Sequence, residues 1–152
     1  MKLAEALQER ADLSARISIL ENRLRNNALV QEGEKPAEEP YELLDELERC
    51  SAEMERLIAS INLTNSKTVS EGETITELIA RKDVLSRKLS IYRDFVQTAG
   101  QTAQRATRSE IKILSTVNVR ELQQKTDILA KELRLLDNRI QQINWTTELI
   151  EK

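Results

Sequence analysis

Apolar side chains recur at alternating steps of three and four along most of this chain, a spacing that admits little besides helices packed along a seam. The first stripe runs Leu3, Ala6, Arg10, Leu13, Ile17, Leu20, Leu24, Asn27, and the second Leu43, Leu47, Cys50, Met54, Leu57, Ile61. The third gives Leu78, Lys82, Leu85, Leu89, Tyr92, Val96, Ala99, Ala103. The fourth is the cleanest: Val119, Leu122, Thr126, Leu129, Leu133, Leu136, Ile140, Ile143, then Thr147 and Ile150. Flanking Leu7, Leu44, Ile58, Ile79 and Leu135 widen the stripes beyond a two-helix seam, which predicts a bundle.

The breaks between stripes have local causes. Pro36 cannot sit inside a helix, whereas Pro40 suits a helix's first turn, so 32–40 divides the first helix from the second. Thr74 with Glu77 has capping-box spacing, with Ser70 and Glu73 as a competing start. Asn118 with Glu121 reads as an N-cap and its N3 partner, and Gly100 either ends the third helix or weakens it. Residues 105–117 carry no helical stripe, and the alternating, β-branched run Ile111-Lys112-Ile113-Leu114 suggests a short extended piece. The expected helices are 3–30, 41–61, 74–104 and 118–150. Their fold class is all-α, an elongated antiparallel four-helix bundle with coiled-coil-like hairpins, in a single domain spanning 1–152. Short connections favour antiparallel neighbours. That topology gathers 26–40 and 105–117 at one pole. At the other it gathers Met1–Leu7, the loop 61–74 and residues 144–152. The second helix would be the shortest, leaving apolar surface near the first pole for either the 105–117 segment, paired with Leu29-Val30-Gln31, or a second subunit. A homo-oligomer, most simply a two-fold dimer, is therefore expected.

Composition removes several chemistries. The chain has no His, which excludes Ser-His-Asp and Cys-His catalytic groups and His-ligated metals. Cys50 is the only cysteine, so no internal disulfide forms, and its place in a stripe marks it as a small buried hydrophobe. A formal charge of −3 lacks the basic footprint of a nucleic-acid binder, so no nucleic-acid partner is expected. The charge is uneven: 32–60 holds three basic and ten acidic residues, and 78–117 eight basic and three acidic. Either the two segments lie side by side or the second presents a basic face for phosphates. No apolar run reaches the ~18 residues of a membrane span, and acids interrupt the first ten residues, so a cytoplasmic protein is expected.

Each candidate for chemistry has a plain structural alternative. Glu38, Glu39, Glu42 and Asp45 match parts of an all-helical Mg²⁺–nucleotide pattern. However, Pro40 interrupts their helix and the reading that prevails is a solvated acidic helix start. Asn62, Thr64, Asn65 and Ser66 lie in a predicted loop before a helix, where they either bind an anion or simply cap and turn. Arg105 and Arg108 either clamp a phosphate or carboxylate or pair with Glu110 and the acidic linker. Trp145, the only Trp, either covers the second pole or anchors a partner, with core cover preferred. Arg10, Asn27, Lys82 and Thr126 interrupt the stripes; the charged ones either reach solvent on their long stems or pair with acids on neighbours, and polar seam residues fix register and partner number. No metal ligands, catalytic residues or cofactor are assigned.

Four stretches also resemble a known group: 27–36 (Asn-Ala-Leu-Val-Gln-Glu-Gly-Glu-Lys-Pro), 61–66 (Ile-Asn-Leu-Thr-Asn-Ser), 108–115 (Arg-Ser-Glu-Ile-Lys-Ile-Leu-Ser) and 144–148 (Asn-Trp-Thr-Thr-Glu). They are similar to small, helical bacterial proteins often labelled septicolysin. The resemblance implies a helical fold and, through the label, a pore-forming cytolysin that would meet a membrane; it brings no catalytic residues. The residues themselves favour a non-enzymatic, self-associating helical module that acts by binding, its protein partner otherwise undefined. A carboxylate-dependent metal or nucleotide enzyme is the third reading.

Overall fold

The computed structural model describes residues 1–102 and 111–151. The protein is all-α, built of helical hairpins. Helices α1 (Leu3–Asn26), α2 (Pro40–Lys67), α3 (Ile75–Ala99) and α4 (Val119–Thr146) carry the chain, with two-residue strands β1 (Val69–Ser70) and β2 (Glu73–Thr74) between α2 and α3. It divides into two compact units, Met1–Ser70 with Ile143–Lys152, and Glu71–Gln142.

Local chemistry sets the boundaries. Pro40 occupies the first turn of α2, and the Glu39 carboxylate accepts a hydrogen bond from the Tyr41 amide. At α3 the Thr74 hydroxyl accepts from the Glu77 amide at 3.2 Å, while the Glu77 carboxylate accepts from the Thr74 amide at 2.7 Å. This reciprocal capping box overrides the competing start at Ser70. Asn118 caps α4, its side-chain oxygen accepting from the Glu121 amide at 3.1 Å. Gly100 ends α3 with ordinary right-handed geometry (φ −85°). The ribbon before α3 turns through Glu71 (φ 52°) and Gly72 (φ 84°), and two consecutive positive φ values are what a two-residue hairpin turn requires.

In the first unit α1 and α2 lie antiparallel, tied by Arg16 to Glu46 at 2.6 Å and by Arg23 to Glu38. Their shared core holds Leu3, Ala6, Leu13 and Leu20 against Leu43, Cys50, Leu57 and Ile61, the expected seam positions. In the second unit Lys82 of α3 pairs with Asp137 of α4, and Lys125 lies 5.3 Å from the centroid of the Tyr92 ring. Gly100 approaches Val119. Each step forward on α3 thus meets a step back on α4. Leu78, Leu85, Leu89 and Val96 are buried there with Leu129, Leu136 and Ile140.

Two expectations are corrected. The second helix does not stop at 61 and is not the shortest: α2 has 28 residues, as many as α4. Ile61 and Thr64 continue its buried stripe, and the Thr64 hydroxyl bonds the Ser60 carbonyl at 2.8 Å, so packing overrides the weak helix propensity of the Asn, Thr and Ser residues. Ile111–Leu114 is irregular rather than a strand, and Leu29 and Val30 form no strand either. Arg10 is exposed, its long stem carrying the charge out of the seam, one of the two outcomes expected of it. A Gly72→Ala change meets no steric obstacle and isolates the positive φ; it should cost about 1 kcal/mol of unfolding free energy in urea titration, with Gly72→Asn costing less.

Candidate functional site

Polar side chains organise three places. The first closes the α1–α2 connection. Asn27, buried at the end of α1, donates from its side chain to the Arg23 carbonyl at 2.8 Å and accepts from the Glu38 amide at 3.0 Å. Arg23 in turn grips both Glu38 oxygens, with Nε at 3.2 and 3.1 Å. Asn27 is thus a cap and a linker anchor. The acidic segment finds cations on α1: the guanidinium of Arg23 holds Glu38 below the usual carboxylate range, and that of Arg16 does the same for Glu46. Glu39 is spent on capping. Among the described residues no three carboxylate or thiol groups gather as a metal-ion cage.

The second place is where both ends of the first unit meet. The Leu3 amide donates to the Thr147 carbonyl at 2.9 Å, and the Leu149 amide to the Met1 carbonyl at 2.8 Å. Lys2 forms an antiparallel bridge with Glu148, pairs with its carboxylate, and lowers its pKa. Thr64, fully buried, accepts from the Ile150 amide at 2.9 Å. Beside this clasp lies a cleft of about 100 Å³, lined by Glu9, Glu53, Arg56, Ser60 and Leu149. Residues 1–3 and 147–150 therefore meet the end of α2 in this unit, as expected, but 61–67 is helix rather than loop.

The candidate ligand residues fall as follows. Asn62, Thr64, Asn65 and Ser66 do not form a loop; they occupy the last turns of α2. A helix C-terminus presents carbonyls and a partial negative charge, the reverse of an anion cradle. Thr64 serves the clasp, Ser66 donates to the Leu63 carbonyl, and Asn62 is exposed. The following N-terminus, that of α3, is already met by the Glu77 carboxylate, whose pKa its bonds to Thr74 lower. Arg105 and Arg108 lie outside the described residues. Trp145 does not serve as core cover: it is 51% exposed, while its neighbour Asn144 turns inward. The sequence reading missed the Thr64–Ile150 bond, for which the buried phase of Thr64 on the α2 stripe was the available signal.

The third place is apolar. On α3 the side chains of Val84, Ile91 and Phe95 stand in solvent. Phe95 also borders a groove with Ile113 and Leu114 of the irregular segment. Another cleft of this hairpin is lined by Lys82, Arg93, Arg134 and Asp137 together with Leu89 and Leu133.

The fold defines a class, a small all-α protein of helical hairpins. The chain belongs to a family of unknown function, DUF6847, whose model matches residues 10–149. It is similar to a functionally unknown conserved protein from Corynebacterium diphtheriae, at 43% identity over 99% of each chain with a TM-score of 0.93. No curated protein matches. The family and this structure carry no cytolysin label, so the resemblance to septicolysin reduces to membership of an uncharacterised group. Among the described residues no helix is long and apolar enough to cross a membrane.

Two outcomes follow. Thr64→Val keeps the shape but strands the Ile150 amide, and should cost about 1–3 kcal/mol in urea unfolding, with Thr64→Ser close to wild type. Glu38, Glu46, Glu77 and Glu148 all have lowered folded pKa values, so they bind fewer protons folded than unfolded near their ordinary range. Their contribution is complete above the unfolded value of about 4.3 and drains away as pH falls through the folded values. The urea midpoint should decline below that point, and more shallowly in Glu38→Gln.

Proposed function

We propose that this protein acts by binding rather than catalysis, as a self-associating helical module whose simplest assembly is a two-fold dimer. The observation that carries the reading is the solvent-facing row of Val84, Ile91 and Phe95 on α3, extended by the groove with Ile113 and Leu114. Scattered apolar residues are ordinary on a protein surface, whereas contiguous patches mark interaction sites. The charged side chains support the same reading. Arg16, Arg23 and Lys82 are each spent on a neighbouring helix or linker, and Glu39 and Glu77 on helix caps, which is framework chemistry.

Sedimentation equilibrium of the full chain tests this. A species of twice the 17.4 kDa chain mass at micromolar concentration, dissociating on dilution, is the expected result. A single protomer mass at every concentration up to the solubility limit would refute self-association.

A further inference from the structure

We infer that the second copy docks on one face of the α3–α4 hairpin, stacking its α4 on the first copy's α3 and its α3 on the first copy's α4 about a two-fold axis parallel to the helices. The inference rests on the self-association reading above and names its surface. Five exposed apolar residues define the face: Val84 (69%), Ile91 (59%) and Phe95 (48%) on α3, with Ile128 (60%) and Leu135 (54%) on α4.

Each of the five immediately precedes a seam residue. Val84 precedes Leu85, Ile91 precedes Tyr92, Phe95 precedes Val96, Ile128 precedes Leu129 and Leu135 precedes Leu136. One residue is about 100° of helix rotation. Both stripes are therefore turned from the seam in the same rotational sense. The two helices run antiparallel across that seam, so an equal turn brings both stripes to the same side of the hairpin. Register completes the match. With Lys82 on Asp137 and Gly100 against Val119, Val84 stands level with Leu135 and Ile91 level with Ile128. Among the described residues the first unit has no such face. Ile19 precedes its buried neighbour Leu20, but Leu44 and Ile58 follow theirs, Leu43 and Leu57, which sends them to the other side.

Charge and area argue for a second copy as occupant. Lys88 follows Val84 by one helical turn, and Glu132 follows Ile128 in the same way, so each stripe has one charge at its centre and the two are opposite. A two-fold axis along the helices sets α3 over the partner's α4 at equal height, bringing Lys88 onto Glu132 of the partner subunit. A perpendicular axis would set Lys88 on its own copy. The five residues expose on the order of 500 Å² per copy, near the upper end of the largest patch on a typical monomer and, doubled, close to the ~1,000 Å² at which specific interfaces begin. The pairing joins two hairpins into a four-helix core, each supplying an isologous face.

The test uses the full chain in sedimentation velocity with circular dichroism as the folding control. Ile91→Lys should raise the dimer dissociation constant by ~100-fold or more without loss of helicity, while Ile19→Lys leaves it unchanged. Lys88→Glu and Glu132→Lys should each weaken the homodimer, and mixing the two variants should restore a heterodimer, because each then meets an opposite charge across the two-fold. A wild-type dimer indifferent to Ile91→Lys, or charge variants that fail to form the heterodimer, would overturn this face while leaving self-association intact. A wild-type chain that never dimerises would overturn both.

Discussion

Each helix of this protein buries one narrow apolar stripe, and nearly everything else follows from that. A single stripe supports a single seam, so the elements fold as antiparallel pairs and the core of each unit is a line rather than a volume. Buried polar groups then sit on the seam itself and must be satisfied there. Thr126 returns its hydroxyl to the Leu122 carbonyl at 2.8 Å, Thr64 to that of Ser60, and Asn27 serves as both cap and anchor. These polar positions interrupt the greasy repeat at fixed points and so resist a slip of one helix along its partner.

The same stripe explains what was legible before any coordinates. Leu43, Cys50, Leu57 and Ile61, or Leu129, Leu136 and Ile140, are buried because their spacing leaves them no other side of the helix to occupy. The caps at Thr74 and Asn118 and the proline at the head of α2 were equally readable, since each acts through residues within one turn. What escaped depended on distant partners. The Asn, Thr and Ser residues after Ile61 look like a loop by propensity, but a buried Thr64 receiving an amide 86 positions away makes them helix. The supposed anion loop vanished with that change, because the direction of a helix end decides the sign of the charge it prefers. Trp145 was misjudged for a related reason: it lies just off the seam, and only the placement of Asn144 shows which neighbour turned inward.

Carboxylates abound on α2 and its approach, yet their density is not chemistry. A catalytic or metal-holding carboxylate must converge with others or be desolvated. Here Glu38 and Glu46 are divided between separate arginines, and Glu39 and Glu77 are fixed to backbone amides at helix starts. The partners of Glu38, Glu46 and Glu77 lower their pKa values, the direction that keeps an acid charged, whereas a general acid at neutral pH needs the opposite. Electrostatics in this molecule joins neighbouring elements.

Exposed ion pairs of this kind add little stability, since solvent screens them and the side chains lose freedom in pairing. The burden therefore falls on the seams and caps, and a hairpin with one seam has a modest margin. Association changes that balance by mass action: a copy that binds only the folded form stabilises it in proportion to the logarithm of its concentration. A greasy face with one lysine and one glutamate at its centre is consistent with such a role, because the charges discourage wrong registers while the apolar residues supply the attraction. In the proposed dimer this face of the α3–α4 hairpin is the second half of its core, so that stability and association would arise from the same two helices.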